Sequence, residues 1–387
     1  MKIVYASCGG TWFHYSAAEM LRLGQEAWAY SANKNFTGLP PERFKRSRPF
    51  SIACQPFYRL FKGRFAEFGF QAMLPVWTNW LKRQRFPACD VVHSAMSFAT
   101  EPFDHAERIG ALKVLDASNS HPTSFHGFWQ REIDIWSPGS TVGVWRSVFA
   151  RCNRELERAD VIICASTYVR DSMIYNGIPE SKLEVNPFGA DLQVFSRRTA
   201  PPDKPRFLFA GVLTLRKGIQ YLLPAFERLK KEVPGAELIL CGPPYPDGKK
   251  LIQQTRHLFT YRRGLNHAQL AELMRTCTAF VFPSIEEGFA RVISEAMASG
   301  LAIIATHNSG ATTVVEDGKE GFIVPARSSD TVYQRMKELA QNPELCKTMG
   351  NAAATKMERG GSWADYSRKM LDIYNRHLGD ARKSRTT

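Results

Sequence analysis

Twice along this chain the same texture recurs: a short apolar run ends in a glycine turn, and an amphipathic stretch follows. "KIVYA" gives way to "SCGG" and then "YSAAEMLRLG", with Gly24 as the stop. "RFLFAG" leads, after a turn, into "IQYLLPAFERLKKE". Runs this short and this uniformly apolar suit strands buried on both faces, and the intervening stretches carry helical periodicity. Further runs follow in order in the first half: "EAWAYSA", "CDVVHSA", "LKVLDAS", "ADVIICAS" and "KLEVNPFGAD". A helix is predicted at "TYVRDSMIYNG" in the first half; the second half adds "AELILCG", "AFVFPS" and "LAIIAT", with helices predicted at "HAQLAELMRTC" and "ARVISEAMASG". Strands alternating with helices specify open parallel sheets, so the fold class is α/β.

Between the halves, "SRRTAPPDKP" is proline-rich, charged and without apolar periodicity, the texture of a linker. At 387 residues the chain exceeds what one core usually serves, which also favours two domains. The expected division is 1–195, a linker at 196–205, a second domain at 206–362, and a closing helix with a basic tail, expected to be disordered, at 363–387. Each half then reads as a Rossmann-like domain. Because open parallel sheets bind ligands at the carboxyl ends of their strands, the loops at 7–14, 117–126, 211–218, 242–248 and 284–291 are expected to converge on a shared cleft.

The formal charge of +14 is unevenly spread. Arg43–Phe86 holds ten Lys/Arg and one acid, Glu67, so it carries about +9, interleaved with eleven aromatic residues. Such a stretch suits an anionic membrane surface or nucleic acid. It equally suits a solvated positive face over a partly buried aromatic layer. No apolar run is long enough to span a membrane, and the eight cysteines show no zinc or redox spacing, which suggests reduced thiols and a cytoplasmic setting.

"PSIEEGFARVISEAMASG", residues 283–300, sets Glu287 and Glu295 eight positions apart. A strand ends at Pro283 and a helix is expected from near Phe289. Unpaired amides at a helix start, with the positive end of its dipole, favour a phosphate, and Gly288 allows close approach. Carboxylates accept paired hydrogen bonds from sugar hydroxyls, so one Glu per sugar ring of a nucleotide sugar is chemically sensible. The alternative is a turn residue and an exposed helix residue. In "FLFAGVLTLRKGIQYLL", Arg216 and Lys217 stand at another helix start, where cations oppose the dipole unless an anion is bound there.

Together these segments make the second half resemble a family 4 glycosyltransferase, a retaining nucleotide-sugar transferase of the GT-B fold. The resemblance runs through "FLFAGVLTLRKGIQYLLPAF", "LILCGPP", the stretch from "HAQLAEL" to "LAIIAT", and "EDGKEGFIVPARSSD". It is looser in the first half, through "SCGGTWFHY", "DVVHSAMSF" and "VLDASNSH". It implies two Rossmann-like domains facing across a cleft and a C-terminal helix, "SWADYSRKMLDIY", crossing back to the first. It also implies roles. Glu287 would contact donor-sugar hydroxyls and Glu295 the ribose. The amides of Gly288, Phe289, Ala290 and Arg291 would hold sugar and diphosphate. Arg216 and Lys217 would stabilise the leaving diphosphate, and His121 would lie near the anomeric carbon. Gly9 and Gly10 form the first glycine turn. Gly211 and Gly242 end strands beside the donor, with the base near Gly242 and Tyr261–Gly264.

The sequence departs from the family pattern in three places: Val212 stands where a phosphate arginine is usual, Ala290 replaces a glycine, and Arg291 replaces an apolar residue. His14, His93 and His126 lie near strand ends, and His267 and His307 carry weaker signals. Asp116 reads as a buried turn acceptor or an acceptor-side base. The expected activity is sugar transfer from a nucleotide diphosphate sugar to an acceptor hydroxyl, with a carbohydrate or lipid-linked acceptor. No cofactor is expected, since no Asp-x-Asp pair calls for a metal. Nucleic acid is not an expected partner. A peripheral station on the inner membrane face would follow if Arg43–Phe86 docks on lipid. The alternatives are another GT-B enzyme, a phosphorylase or sugar-nucleotide epimerase, or a non-catalytic basic surface-binding protein.

Overall fold

The apolar runs are strands, and every pairing between them is parallel. The structure, a computed structural model, describes residues 1–52, 66–140, 142, 146–198, 202 and 204–386. In the first half, β1 (Lys2–Ser7), β2 (Glu26–Ser31), β3 (Phe44–Arg46), β4 (Val91–Ala95), β5 (Leu112–Ala117), β6 (Val161–Cys164) and β7 (Leu183–Val185) form one sheet. Its order is β3-β2-β1-β4-β5-β6-β7. The second sheet comprises β8 (Arg206–Ala210), β9 (Glu237–Cys241), β10 (Thr260–Arg262), β11 (Ala279–Phe282), β12 (Ala302–Thr306) and β13 (Gly321–Val324). Its order is β10-β9-β8-β11-β12-β13. Both sheets reverse direction beside their first strand, between β1 and β4 and between β8 and β11, and a crevice opens at such a switch point.

Helices cover both faces of the sheets, which is why β4, β6, β11 and β12 are buried along their whole length. In the helix Ile219–Glu232, Ile219, Leu222, Leu223, Phe226 and Leu229 recur at helical spacing and are fully buried, while Glu227, Lys230 and Lys231 face water. Burial of each such side chain is worth roughly 1.5–3 kcal/mol. The last helix, Trp363–Thr386, returns to the first lobe. There Trp363, Tyr366, Met370, Ile373 and Tyr374 join Ile3, Tyr5, Phe13 and Val91 in one core.

Three strands depart from the sequence expectation. β3 and β10 are three-residue edge strands with polar residues, and β13 follows a turn. The helix expected from near Phe289 begins at Arg291, because residues 284–290 form an extended loop. The C-terminal segment expected to be disordered continues the last helix as far as Thr386. Residues 199–201 and 203 of the expected linker lie outside the described residues, as do residues 53–65 of the basic aromatic segment, including Lys62 and Arg64. In its described part, Phe50 and Trp77 are buried, and Trp80 and Phe86 pack against the same cluster. Arg43 pairs with Glu26 and lies over the Trp28 ring. No helix among the described residues is long and apolar enough to cross a membrane.

Candidate active site between the lobes

Two short segments of the second lobe meet at the carboxyl end of its sheet. One is the single helical turn Leu215–Lys217 after β8, and the other is the loop 284–290 after β11. Their close fit depends on Gly218. Its φ is +75°, and a Cβ there would overlap the Pro283 carbonyl. The turn is thereby pressed onto the loop, and the Arg216 carbonyl accepts from the Ile285 amide at 2.9 Å.

The side chains complete the junction. Arg216 Nη1 donates to the Glu286 carbonyl at 2.7 Å, to Glu286 Oε2 at 3.1 Å and to Glu287 Oε2 at 2.9 Å. Lys217 Nζ pairs with the same Glu287 oxygen. Glu286 has no solvent exposure, and its other oxygen accepts from Ser120 Oγ of the first lobe at 2.8 Å. A carboxylate this buried needs charged partners, and Arg216 supplies one. The cations expected to stand ready for a diphosphate are therefore already paired with two carboxylates. Burial, reinforced by Arg216, holds the Lys217 ammonium well below the usual lysine range, against the pull of Glu286.

The first lobe closes directly over this cluster. A Cβ on Gly288 would overlap the Ser118 carbonyl, and Asn119 lies just beyond. Ser166 Oγ donates to the Gly288 carbonyl, and Asn308 donates to the Ile285 carbonyl at 2.9 Å. Of the amides expected to face a ligand, Ala290 N–H already donates to Ser309 O at 3.4 Å. No described residue accepts from the amides of Gly288, Phe289 or Arg291. The Phe289 side chain points away into the first-lobe core.

His121 caps the helix Pro122–Trp136, with Pro122 at its first position, where the missing N–H costs nothing. Its Nδ1 accepts from Thr123 N–H at 3.3 Å, and burial lowers its pKa, so the neutral ring carries its proton on Nε2. Glu295, one helical turn into Arg291–Ala298, is raised by burial, with Arg291 and His267 opposing and Asp191 adding to the shift. Its carboxylate makes no side-chain hydrogen bond among the described residues. Gly9 and Gly10 sit in the loop after β1. Gly10 N–H donates to Ser7 Oγ at 2.9 Å, and a side chain at Gly9 would meet open space. Gly211 and Gly242 end β8 and β9, and the Gly242 carbonyl accepts from the Tyr261 hydroxyl at 2.8 Å.

Three other sequence candidates, His14, His93 and Asp116, are buried in the first lobe. His14 Nε2 contacts Ser31 Oγ at 3.0 Å, and burial lowers its pKa to about 4. His93 Nδ1 contacts the Tyr374 hydroxyl at 2.6 Å, with its pKa lowered to about 3 by burial. Asp116 is fully buried, and its pKa is raised to about 8 by that burial, against the Trp12 indole. Neither of its oxygens makes a sound hydrogen bond among the described residues. His126 lies edge-on to Phe149, and His307 is exposed.

The sequence reading missed Ser120, Glu286 as an ion-pair partner, and the whole helix Pro122–Trp136. The last had a signal: Pro122 at a helix start and Phe125, Trp129, Ile133 and Trp136 at helical spacing.

Residues 193–356 match the family described as Glycosyl transferases group 1. The alpha-maltose-1-phosphate synthase of Mycolicibacterium smegmatis is 27% identical over 251 residues, covering 57% of this chain and 64% of that protein. The D-inositol 3-phosphate glycosyltransferase of Streptomyces bingchenggensis is 28% identical over 253 residues, 59% of this chain and 55% of that protein. The chain thus spans less than two thirds of the length of either relative. In structure, the sucrose-phosphate synthase of Thermosynechococcus elongatus aligns with a TM-score of 0.71 over 98% of this chain and 100% of that one, at 15% identity. Anabaena HepE in complex with UDP and glucose aligns at 0.68 over 97% and 99%, also at 15% identity. With its two facing parallel-sheet lobes and returning helix, the chain has the GT-B fold.

Proposed function

We propose that this chain is a family 4 glycosyltransferase that moves a sugar from a nucleotide diphosphate donor to an acceptor hydroxyl with retention of configuration. The observation that carries the reading is the meeting of the Arg216–Lys217 turn with the Glu286–Gly288 loop under the first lobe. The match to glycosyl transferases group 1 covers that same segment.

In this reading the diphosphate lies against Lys217, Arg216 and the amides of Gly288, Phe289 and Arg291; the amides are fixed donors that need no reorganisation as charge develops, and the two cations turn from Glu287 toward the phosphates. Glu287 accepts hydrogen bonds from the donor sugar and Glu295 from the ribose. The anomeric C–O bond breaks, and its electron pair leaves on the diphosphate. The acceptor oxygen bonds the anomeric carbon from the same face, and its proton passes to the leaving phosphate oxygen. His121 Nε2–H orients the sugar beside that carbon. Arg216 takes the place of the arginine that Val212 lacks. The acceptor is a carbohydrate or a membrane-associated glycolipid or polysaccharide precursor. Flotation with anionic vesicles tests the membrane part, and a chain that stays unbound removes it.

Thermal-shift screening against UDP, GDP, ADP and their sugar conjugates tests donor binding, since a bound ligand raises the melting temperature with its concentration. Lys217→Ala is expected to lose roughly 10²-fold in turnover, and Glu295→Ala to weaken nucleotide binding at little cost to the chemical step. Full activity in both variants would remove the site assignment.

A further inference from the structure

The helix Pro122–Trp136 belongs to the first lobe, yet one of its faces lies on the second. Glu132, on that face, has no solvent exposure. Its Oε1 accepts from Arg327 Nε at 2.6 Å. Its Oε2 accepts from Gln220 Nε2 at 2.8 Å and from the Tyr221 hydroxyl at 3.0 Å. All three donors come from the second lobe. Gln220 Nε2 donates also to the Leu215 carbonyl at 2.8 Å, which ties the carboxylate to the turn that carries Arg216 and Lys217.

The neighbours of Glu132 along the helix act on the same segment. Trp129 Nε1 and Thr214 Oγ1 share Asp247 Oδ2, at 3.0 and 2.7 Å. The rings of Phe125 and Trp129 stand 5.1 and 5.6 Å from the Arg216 guanidinium carbon. Ile133 packs with Leu215 in a small apolar cluster. Residues 125, 129, 132 and 133 form one stripe at helical spacing, and each touches the 214–221 segment or what it holds.

We propose that Glu132 is a positioning residue: through it the first lobe grips the segment 214–221, so that lobe closure and the placement of the Arg216–Lys217 pair are a single event. The link to catalysis rests on the role given to that pair above. The physical case is an asymmetry. A carboxylate stripped of water is tolerated only when fully paired, and here the partners exist only while the lobes are together. When the lobes part, Glu132 and its three donors regain water, so the desolvation cost offsets much of the pairing gain. The grip is thus specific in geometry and still reversible.

The test is Glu132→Gln. The amide presents one acceptor oxygen, and its NH2 must face either Arg327 Nε–H or the Gln220 and Tyr221 donors, so two donors meet. Hydrogen exchange followed by mass spectrometry on the full chain is expected to show peptides across 214–221 exchanging several-fold faster, with the β11–β13 peptides unchanged. With the nucleotide sugar that the wild-type chain uses, kcat is expected to fall roughly 10- to 10²-fold while the donor KM stays within about threefold, because misplacement rather than lost binding is responsible. Tyr221→Phe removes one donor without touching the charge, and should move both readouts less in the same direction. It also serves if Glu132→Gln fails to fold. Unchanged exchange at 214–221, or faster exchange with undiminished kcat, overturns the proposal. A wild-type chain that uses no UDP, GDP or ADP sugar would instead fault the glycosyltransferase reading, and the exchange comparison would still decide whether Glu132 positions the segment.

Discussion

Replacing Glu287 with Gln should invert the preference of the site between a nucleotide diphosphate and its sugar conjugate. In the structure Glu287 Oε2 is held by Lys217 and by Arg216 at 2.9 Å. A unit-charge pair at that separation is attracted by about 6 kcal/mol at an effective dielectric of about 20, so turning a cation from the carboxylate to a phosphate carries a cost. A diphosphate must draw them toward itself and leave the half-buried carboxylate short of partners. Leaving such a group unsatisfied costs about 1–3 kcal/mol, or roughly 10- to 10²-fold in affinity. Under the proposed role of Glu287, a donor carrying its sugar returns hydroxyl hydrogen bonds to the carboxylate, whereas the bare nucleotide does not. With Gln in place, the cations are released and the penalty disappears. The bare nucleotide should then bind roughly tenfold tighter or more, while the sugar conjugate gains little or weakens. Calorimetry on both proteins, with whichever of UDP, GDP and ADP binds and its glucose conjugate, measures the four affinities. If the substitution weakens bare nucleotide and conjugate alike, the ion-pair argument is wrong.

Two more outcomes follow from particular positions. Gly288→Ala would place a methyl group against the Ser118 carbonyl. It should hold the lobes apart and cut turnover by roughly 10²-fold in a transfer assay, with nucleotide affinity nearly intact. Asp116, whose neighbours include His93 Nε2 at 3.7 Å and the Tyr366 and Tyr374 rings, carries a pKa raised to about 8 by burial. The folded chain therefore keeps its proton through the range in which the unfolded chain loses it. Its contribution to stability is intact below about pH 4 and lost as pH rises through about 8. Asp116→Asn should gain stability over the wild type progressively across that window, by a few kcal/mol, in denaturant titrations at pH 5 and pH 8. A constant difference at both values would contradict the assigned burial effect.

Local features of the chain were legible where the chemistry is local. Fully buried strands such as "VVHSA" and "AIIAT" announce themselves as apolar runs, and Ile219–Glu232 shows its amphipathic face in the spacing alone. β3 and β10 do not, because a three-residue edge strand needs only a neighbour's backbone and leaves no apolar pattern. The same division holds at the site. Glu287, Gly288 and Lys217 stand out within their own segments. The pairing of Glu286 with Ser120, 166 positions away, and of Glu132 with Arg327, 195 away, depends on how two lobes dock. A carboxylate on a helix looks the same in sequence whether it meets water or an arginine from another lobe.

The returning helix has a consequence for how the protein comes to exist. Tyr374 reaches His93 at 2.6 Å and Tyr5 at 3.3 Å, and the carbonyl of Tyr366 receives Asn186 Nδ2 at 3.1 Å. Met370 and Ile373 lie in the same core as Ile3. The first lobe is therefore completed only after the second lobe has been synthesised, its apolar flank uncovered until the returning helix is made. During synthesis that flank is an exposed sticky surface, and a neighbouring nascent chain offering the same helix is a ready competitor for it.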